Sequence, residues 1–276
     1  KMVGRTYSDY YMRERTYFGK EAFRVENLSG VVNTGNLRTS FTPQNVSFSV
    51  EEGEILGIAG LVGAGRTEVL RLIFGQDPKS DDKGRIYVDG ECVNIHGVTD
   101  AMKHRMAWVT EDRKKEGIIL PFTILTNSVL PIEERLKKGL FVDRVAERNV
   151  AENVVSAMSV KCNGIGDRMR YLSGGNQQKV VVGKWLETKP KILFMDEPTR
   201  GIDVGAKAEI YKTMNRLTSE GVAIVIISSE LPEVIGMSDR IITMYEGKVT
   251  GMFERSEFSE EAIMRCATGG YKNDSE

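Results

Sequence analysis

The sequence predicts an α/β fold with a parallel sheet at its centre, and three observations carry that prediction. Two short continuous apolar runs, ILFM at 192–195 and VAIVII at 222–227, are bounded by turn signals, as strands buried on both faces are. Between them AKAEIYKTMNRL sets Ile210, Met214 and Leu217 at helical spacing. A third strand-like run, GEILGIA, enters the glycine-rich stretch GLVGAGRTE at 60–68, after which Val69, Leu72 and Ile73 share one helical face. Strand, helix and strand in succession require a crossover, and hence parallel pairing.

The remaining elements follow in chain order. Residues 1–20, KMVGRTYSDYYMRERTYFGK, are polar, charged and tyrosine-rich with no clean period, which is the pattern of a connector. They read either as a disordered leader or as a tail left by an upstream domain. FRVENLSG and VSFSV at 46–50 alternate as half-buried strands do, and GRIYVDGECV repeats the alternation around Asp89 and Gly90. These strands predict an antiparallel layer beside the strand that enters the glycine turn. From about 126 to 188 the pattern is helical. VDRVAERNVAENVVSAM places Val142, Val145, Val150 and Val154 near one face, and a later helix buries Val181, Trp185 and Leu186. No internal repeat, low-complexity tract or second core is visible.

Composition excludes several classes of function. With 41% apolar and 28% charged residues the 276-residue chain matches a soluble globular domain. A net charge of −1 leaves no broad basic surface for nucleic acid. The longest apolar runs are far too short to span a bilayer, and no signal peptide is visible. Cys92, Cys162 and Cys266 lack metal-ligand spacing, which favours a reduced cytosolic setting. His96 and His104 read as surface residues.

Glycine spacing alone says little in a chain with 28 glycines. Context raises its weight. The run follows a strand, opens a helix and fits G-x-x-x-x-G-K-[ST] with one substitution, through Gly60, Gly63, Ala64, Gly65, Arg66 and Thr67. Backbone N–H groups in such a loop cradle phosphate oxygens, and the hydroxyl holds Mg²⁺. ILFMDEP then delivers Asp196 and Glu197 at the carboxyl end of a buried strand, where α/β sheets place ligand chemistry. Asp196 suits a Mg²⁺ shell. Glu197, one residue further out, suits the polarisation of an attacking water. LSGGNQQKV at 172–180 sets Ser173 as a helix cap and leaves Gly174, Gly175 and Asn176 open to a close-approaching anion. Two anion sites on one domain suggest that the second serves a nucleotide held elsewhere.

With these motifs in place the chain closely resembles the ATP-binding-cassette ATPases, in detail the second half of tandem monosaccharide importers. LSGGNQQKV resembles their signature, GLVGAGRTE their altered phosphate loop and ILFMDEP their Walker B strand. The resemblance covers nearly the whole chain. It implies a P-loop NTPase, RecA-like α/β core with an antiparallel β subdomain and an ABC-type helical subdomain at about 112–188. The cassette would span 21–276 and 1–20 would be the tail of a preceding cassette, since KMVGR resembles the end of a first half. ATP and Mg²⁺ are the implied ligands. The implied partners are that preceding cassette, transmembrane permease subunits and, indirectly, an extracellular sugar-binding protein, with the chain peripheral on the cytoplasmic face of the membrane and no nucleic acid involved. Residues from about 111 to 128 should meet the permease.

The resemblance also implies roles position by position. Thr67 and Asp196 match the magnesium positions and Glu197 the water-activating one. Asp203, in TRGIDVG, is the acidic residue of the loop that crosses to the partner. Glu111 falls where a glutamine is usual, Ser229 where a switch histidine is usual, and the adenine-stacking aromatic belongs near Val31 or Val32, neither of which is aromatic. Arg66 keeps a positive charge but is forked and bulkier than lysine. An ionised Glu111 about 4–5 Å from phosphate would repel each unit charge by roughly 3–4 kcal/mol at an effective dielectric of about 20. Ser229 is short and cannot change charge near neutral pH as His can. These departures imply a site that binds Mg-ATP and turns it over slowly beside an intact signature. A non-hydrolysing regulatory half is the alternative.

Overall fold

The computed structural model describes residues 13–14, 17–31, 41–80, 84–139 and 141–271. Most of the 1–20 connector and Val32 lie outside these residues. In chain order the strands are β1 (Glu21–Leu28), β2 (Val46–Glu51), β3 (Ile55–Gly60), β4 (Arg85–Val88), β5 (Glu91–Val93), β6 (Met106–Val109), β7 (Lys137–Lys138), β8 (Phe141–Val142), β9 (Ile192–Asp196), β10 (Ala223–Ile227), β11 (Arg240–Tyr245) and β12 (Lys248–Glu254). The helices are α1 (Arg66–Ile73), α2 (Val98–Lys103), α3 (Ile124–Val129), α4 (Arg144–Ala157), α5 (Gly174–Leu186), α6 (Val204–Ser219), α7 (Leu231–Met237) and α8 (Glu260–Ala267).

The central six-stranded sheet runs β12-β11-β3-β10-β9-β6. The four pairings among β11, β3, β10, β9 and β6 are parallel, as the continuous apolar runs require, and β12 closes one edge antiparallel. The expected antiparallel layer is a second sheet of order β2-β1-β4-β5. A fully buried aromatic group binds the two sheets: Phe194 of β9 meets Phe23 of β1 edge-on at 5.2 Å and Phe74, just after α1, at 5.3 Å. The opposite face of the central sheet buries Leu193, Met195, Ile224 and Ile226 against Val180, Val181 and Val182 of α5 and Ile210 and Met214 of α6.

The helical stretch differs from the sequence expectation in three ways. A small β7-β8 hairpin interrupts it. Val142 belongs to that hairpin, and α4 buries Glu147, Ala151 and Val154 while Val145 is exposed. The valine spacing misleads because a small Ala and a carboxylate paired with Arg144 also fit against neighbours. Trp185 and Leu186 are only partly buried, at the rim of the packing that Val181 enters fully.

The connector makes one contact that its composition does not announce. The Arg13 side chain is wholly buried. It donates to Asp239 at 2.8–3.1 Å, to Asn215 and Thr218 on α6, and to the Gly53 carbonyl. Asp239 in turn accepts the N–H of Ile55, the first residue of β3. Arg13 therefore joins the starts of β3 and β11 to the end of α6, at the sheet edge opposite the glycine turn.

Candidate functional site

The sheet order builds the site. β10 lies between β3 and β9, with Ile227 opposite Ile58 on one side and Asp196 on the other. The carboxyl ends of β3, β9 and β10 therefore bring the glycine turn, the Asp196–Glu197 pair and Ser228–Ser229 to one edge. The turn is held tightly. Gly65 has φ 99°, and a Cβ on it would stand 2.8 Å from the Phe41 carbonyl. The N–H of Gly247 donates to the Ala64 carbonyl at 2.8 Å and that of Phe41 to the Gly63 carbonyl at 2.9 Å. Directly after Gly65 the helix α1 opens, and its leading N–H groups have no intrahelical acceptors.

Thr67 and the acidic pair converge as expected. The Thr67 hydroxyl donates to Asp196 Oδ2 at 2.8 Å. Among the described residues Asp196 Oδ1 has no hydrogen-bond partner although it is buried. Burial, reinforced by the Glu111 and Glu197 charges, pushes the Asp196 carboxyl up to about 7 against the Thr67 hydrogen bond and Arg66. A buried carboxylate with one free lobe beside a threonine hydroxyl fits a hard divalent cation with oxygen ligands.

Two of the three departures from the usual pattern, Arg66 and Ser229, meet on Glu197, and the third, Glu111, has a partner elsewhere. Arg66 is 7% exposed; its Nη1 donates to the Ser228 carbonyl at 2.7 Å and its Nη2 lies 3.8 Å from Glu197 Oε1. Ser229 Oγ donates to Glu197 Oε2 at 3.0 Å. Glu111 forms an ion pair with Arg200, which corrects the expectation of an unneutralised carboxylate facing phosphate. Serine and arginine thus hold Glu197 from two sides, and the Glu111 charge is partly answered by Arg200 on the turn after β9.

The signature segment lies at the start of α5. Ser173 caps that helix, accepting the Asn176 N–H at 3.4 Å, while Asn176 Oδ1 accepts the Lys161 N–H at 2.8 Å. Gly175 is needed for packing: a Cβ there would stand 2.6 Å from that of Ala206 on α6. Asp203 caps α6 through the Ala206 N–H at 3.0 Å, and Gly174 packs beside Arg113 and the Gly201 carbonyl. Arg113 also donates to the Arg200 carbonyl at 3.1 Å. It comes from the VTEDRKKEG stretch, so it ties the Glu111 segment to the signature. Sequence reading did not single it out, and neither did it find Phe41, whose backbone lies against the glycine turn and whose side chain is half-exposed.

The model of the family described as ABC transporter matches residues 43–200. The chain belongs to the ABC transporter family. It is similar to the ribose import ATP-binding protein RbsA of Bacillus cereus, 46% identical over 269 residues, which cover 98% of this chain and 52% of that protein. Against the xylose import ATP-binding protein XylG of Geobacillus kaustophilus it is 48% identical over 270 residues, 98% of this chain and 53% of that one. The chain therefore spans about half the length of the curated relatives it matches. Among solved structures it resembles an ABC transporter cassette in its ADP conformation, with a TM-score of 0.72 at 21% identity over 91% of this chain and all of that one. A dimeric post-hydrolysis cassette bound to ADP and Pi gives a TM-score of 0.72 at 22% identity over 86% of this chain and 100% of that one. The ABC cassette assignment agrees with the P-loop α/β core and the antiparallel β layer of the fold. No described helix is long and apolar enough to cross a membrane.

Proposed function

We propose that this chain binds and hydrolyses ATP as the second cassette of a tandem monosaccharide importer, with a slow site of its own and a signature that completes a partner's site. The observation that carries the reading is the convergence of the Gly60–Thr67 turn, Asp196, Glu197 and Arg66 at one sheet edge, beside the open amino end of α1. In this reading the amides of the turn bind the phosphates and Arg66 adds a forked cation. Thr67 and Asp196 hold Mg²⁺, which when bound offsets phosphate charge. Glu197 accepts a proton from the attacking water while Ser229 and Arg66 hold its carboxylate. Phe41 offers an aromatic surface for the base where Val31 offers none.

Slow turnover follows from the same contacts. Arg66 is committed to Ser228 and Glu197, so nucleotide must draw it across, and Ser229 is occupied with Glu197 rather than with a terminal phosphate. The signature carries no comparable knot of side chains, which favours its use by the preceding cassette of the same polypeptide. The cassette comprises 21–276 with a helical subdomain at about 112–188, and the segment from 111 to 128 meets the permease on the cytoplasmic face. Sugar choice lies with the permease and binding protein. The import names of the relatives and their doubled length support the tandem reading.

Titration of the chain with Mg-ATP is expected to saturate in the micromolar to millimolar range, and no saturable binding would refute the reading. In the assembled transporter, replacing the preceding cassette's Walker B glutamate should abolish transport, and Glu197→Gln should be milder. Equal loss in both would remove the asymmetry and leave a symmetric motor.

A further inference from the structure

We propose that Glu233 is a positioning residue that aims the Glu197 carboxylate, an inference that rests on the hydrolytic reading above. Glu233 lies in the first turn of α7, outside the loops that line the phosphate site, and its side chain is wholly buried. A buried carboxylate is costly unless its partners compensate, so its partners indicate its use. Thr199, itself 1% exposed, donates its hydroxyl to Glu233 Oε1 at 2.7 Å. Burial pushes the Glu233 carboxyl above the usual range, while the nearby Ser228, Thr199 and Tyr211 hydroxyls favour its charged form. Thr199 and Ser228 stand on the two turns that form the reactive edge, two residues past Glu197 and one before Ser229.

Glu197 requires such support because its φ is 47°, a left-handed conformation that strains a non-glycine residue. On the β10 side its N–H donates to the Ile227 carbonyl at 2.8 Å and its Oε2 accepts from Ser229 at 3.0 Å. On the far side the turn closes through the Arg200 N–H to the Glu197 carbonyl at 3.2 Å, and the Thr199–Glu233 bridge fastens that side to α7. Without the bridge the turn pivots about its β10 contacts and the carboxylate loses its aim. The phosphate-binding amides belong to a different loop and keep theirs. Loss of Glu233 must therefore lower kcat and spare binding.

Steady-state phosphate release and Mg-ATP binding by the full chain test this. Glu233→Ala and Thr199→Val should each lower kcat about tenfold or more with KM nearly unchanged, since small misplacements of a reacting group cost rate. The double variant should be no slower than the worse single, because both remove one interaction. Glu233→Gln, whose amide oxygen accepts the Thr199 hydroxyl, should recover most of the rate. Thr199→Val is nearly isosteric and keeps the test open if Glu233→Ala does not fold. An unchanged kcat in Thr199→Val, additive losses, or a loss of Mg-ATP binding equal to the loss of rate overturns the role of Glu233 alone. A wild-type chain that binds no Mg-ATP, or binds it and releases no phosphate, overturns the hydrolytic reading and this inference with it.

Discussion

The phosphate turn and the signature are both glycine-rich segments that open a helix, yet they are finished differently. Around the turn, Arg66, Glu197, Ser229 and the Ser228 carbonyl are joined to one another, and Glu111 is joined to Arg200. Around the signature, Ser173 and Asn176 serve their own helix and neighbouring backbone, and Gly174 and Gly175 pack beside Arg113 and Ala206. Polar groups already satisfied inside one chain must exchange partners before they meet a ligand. The difference teaches that one glycine-rich helix start is bridled by groups at the ends of β9 and β10, whereas the other is held by its own cap and by close backbone packing.

Variants can break or sharpen that contrast. The largest expected effect is common to both segments. Arg13→Ala leaves Asp239 without its buried partner and should destabilise the whole domain by about 3–5 kcal/mol, read as a fall in denaturant midpoint; a loss confined to either segment would show that the connector is a local brace. Next comes Asp196, which acts on the phosphate side alone. Its folded value is raised from 3.8 to about 7, so it contributes stability fully below pH about 4, and that contribution is lost as pH rises through about 7. Melting of the nucleotide-free, chelator-treated protein should show this slope, and Asp196→Asn should flatten it.

Gly65→Ala and Gly175→Ala then separate the segments. The first forces a side chain into φ 99° against the Phe41 carbonyl and should weaken Mg-ATP binding by about 1–3 kcal/mol. The second pushes α5 from Ala206, should leave that binding intact and should impair transport by the assembled complex. Reversed outcomes in these two assays would abolish the contrast. Phe41→Ala should cost about 0.5–1.5 kcal/mol of nucleotide affinity if its ring meets the base. Smallest is Glu111→Gln: the pair with Arg200 is largely exposed, so stability should change by about 0–1 kcal/mol, with any effect appearing in turnover.

Much of this was legible beforehand where the signal is local. The runs at 192–195 and 222–227 are strands β9 and β10, Ser173 is a cap, and Thr67 meets Asp196. Features that rest on long-range pairing were not. The β7-β8 hairpin has two residues per strand, too few for a period. Arg13 sits in a polar stretch whose neighbours give no hint that Asp239, 226 positions away, receives it. Glu111 was read as a lone carboxylate because its neutralising Arg200 lies 89 residues on.

By itself the sequence determined the type of the longer strands and helices, the two glycine-rich helix starts and the acids that end β9, because period, capping and turn chemistry act over a few residues. Tertiary structure alone decided what those groups face: that β10 lies between β3 and β9, that Arg66 turns to Ser228 and Glu197, and that Glu233 and Arg13 are buried at the joints between elements. Those outcomes depend on which strand ends share an edge and which charges find partners across it, and spacing along one chain does not encode distance through the fold.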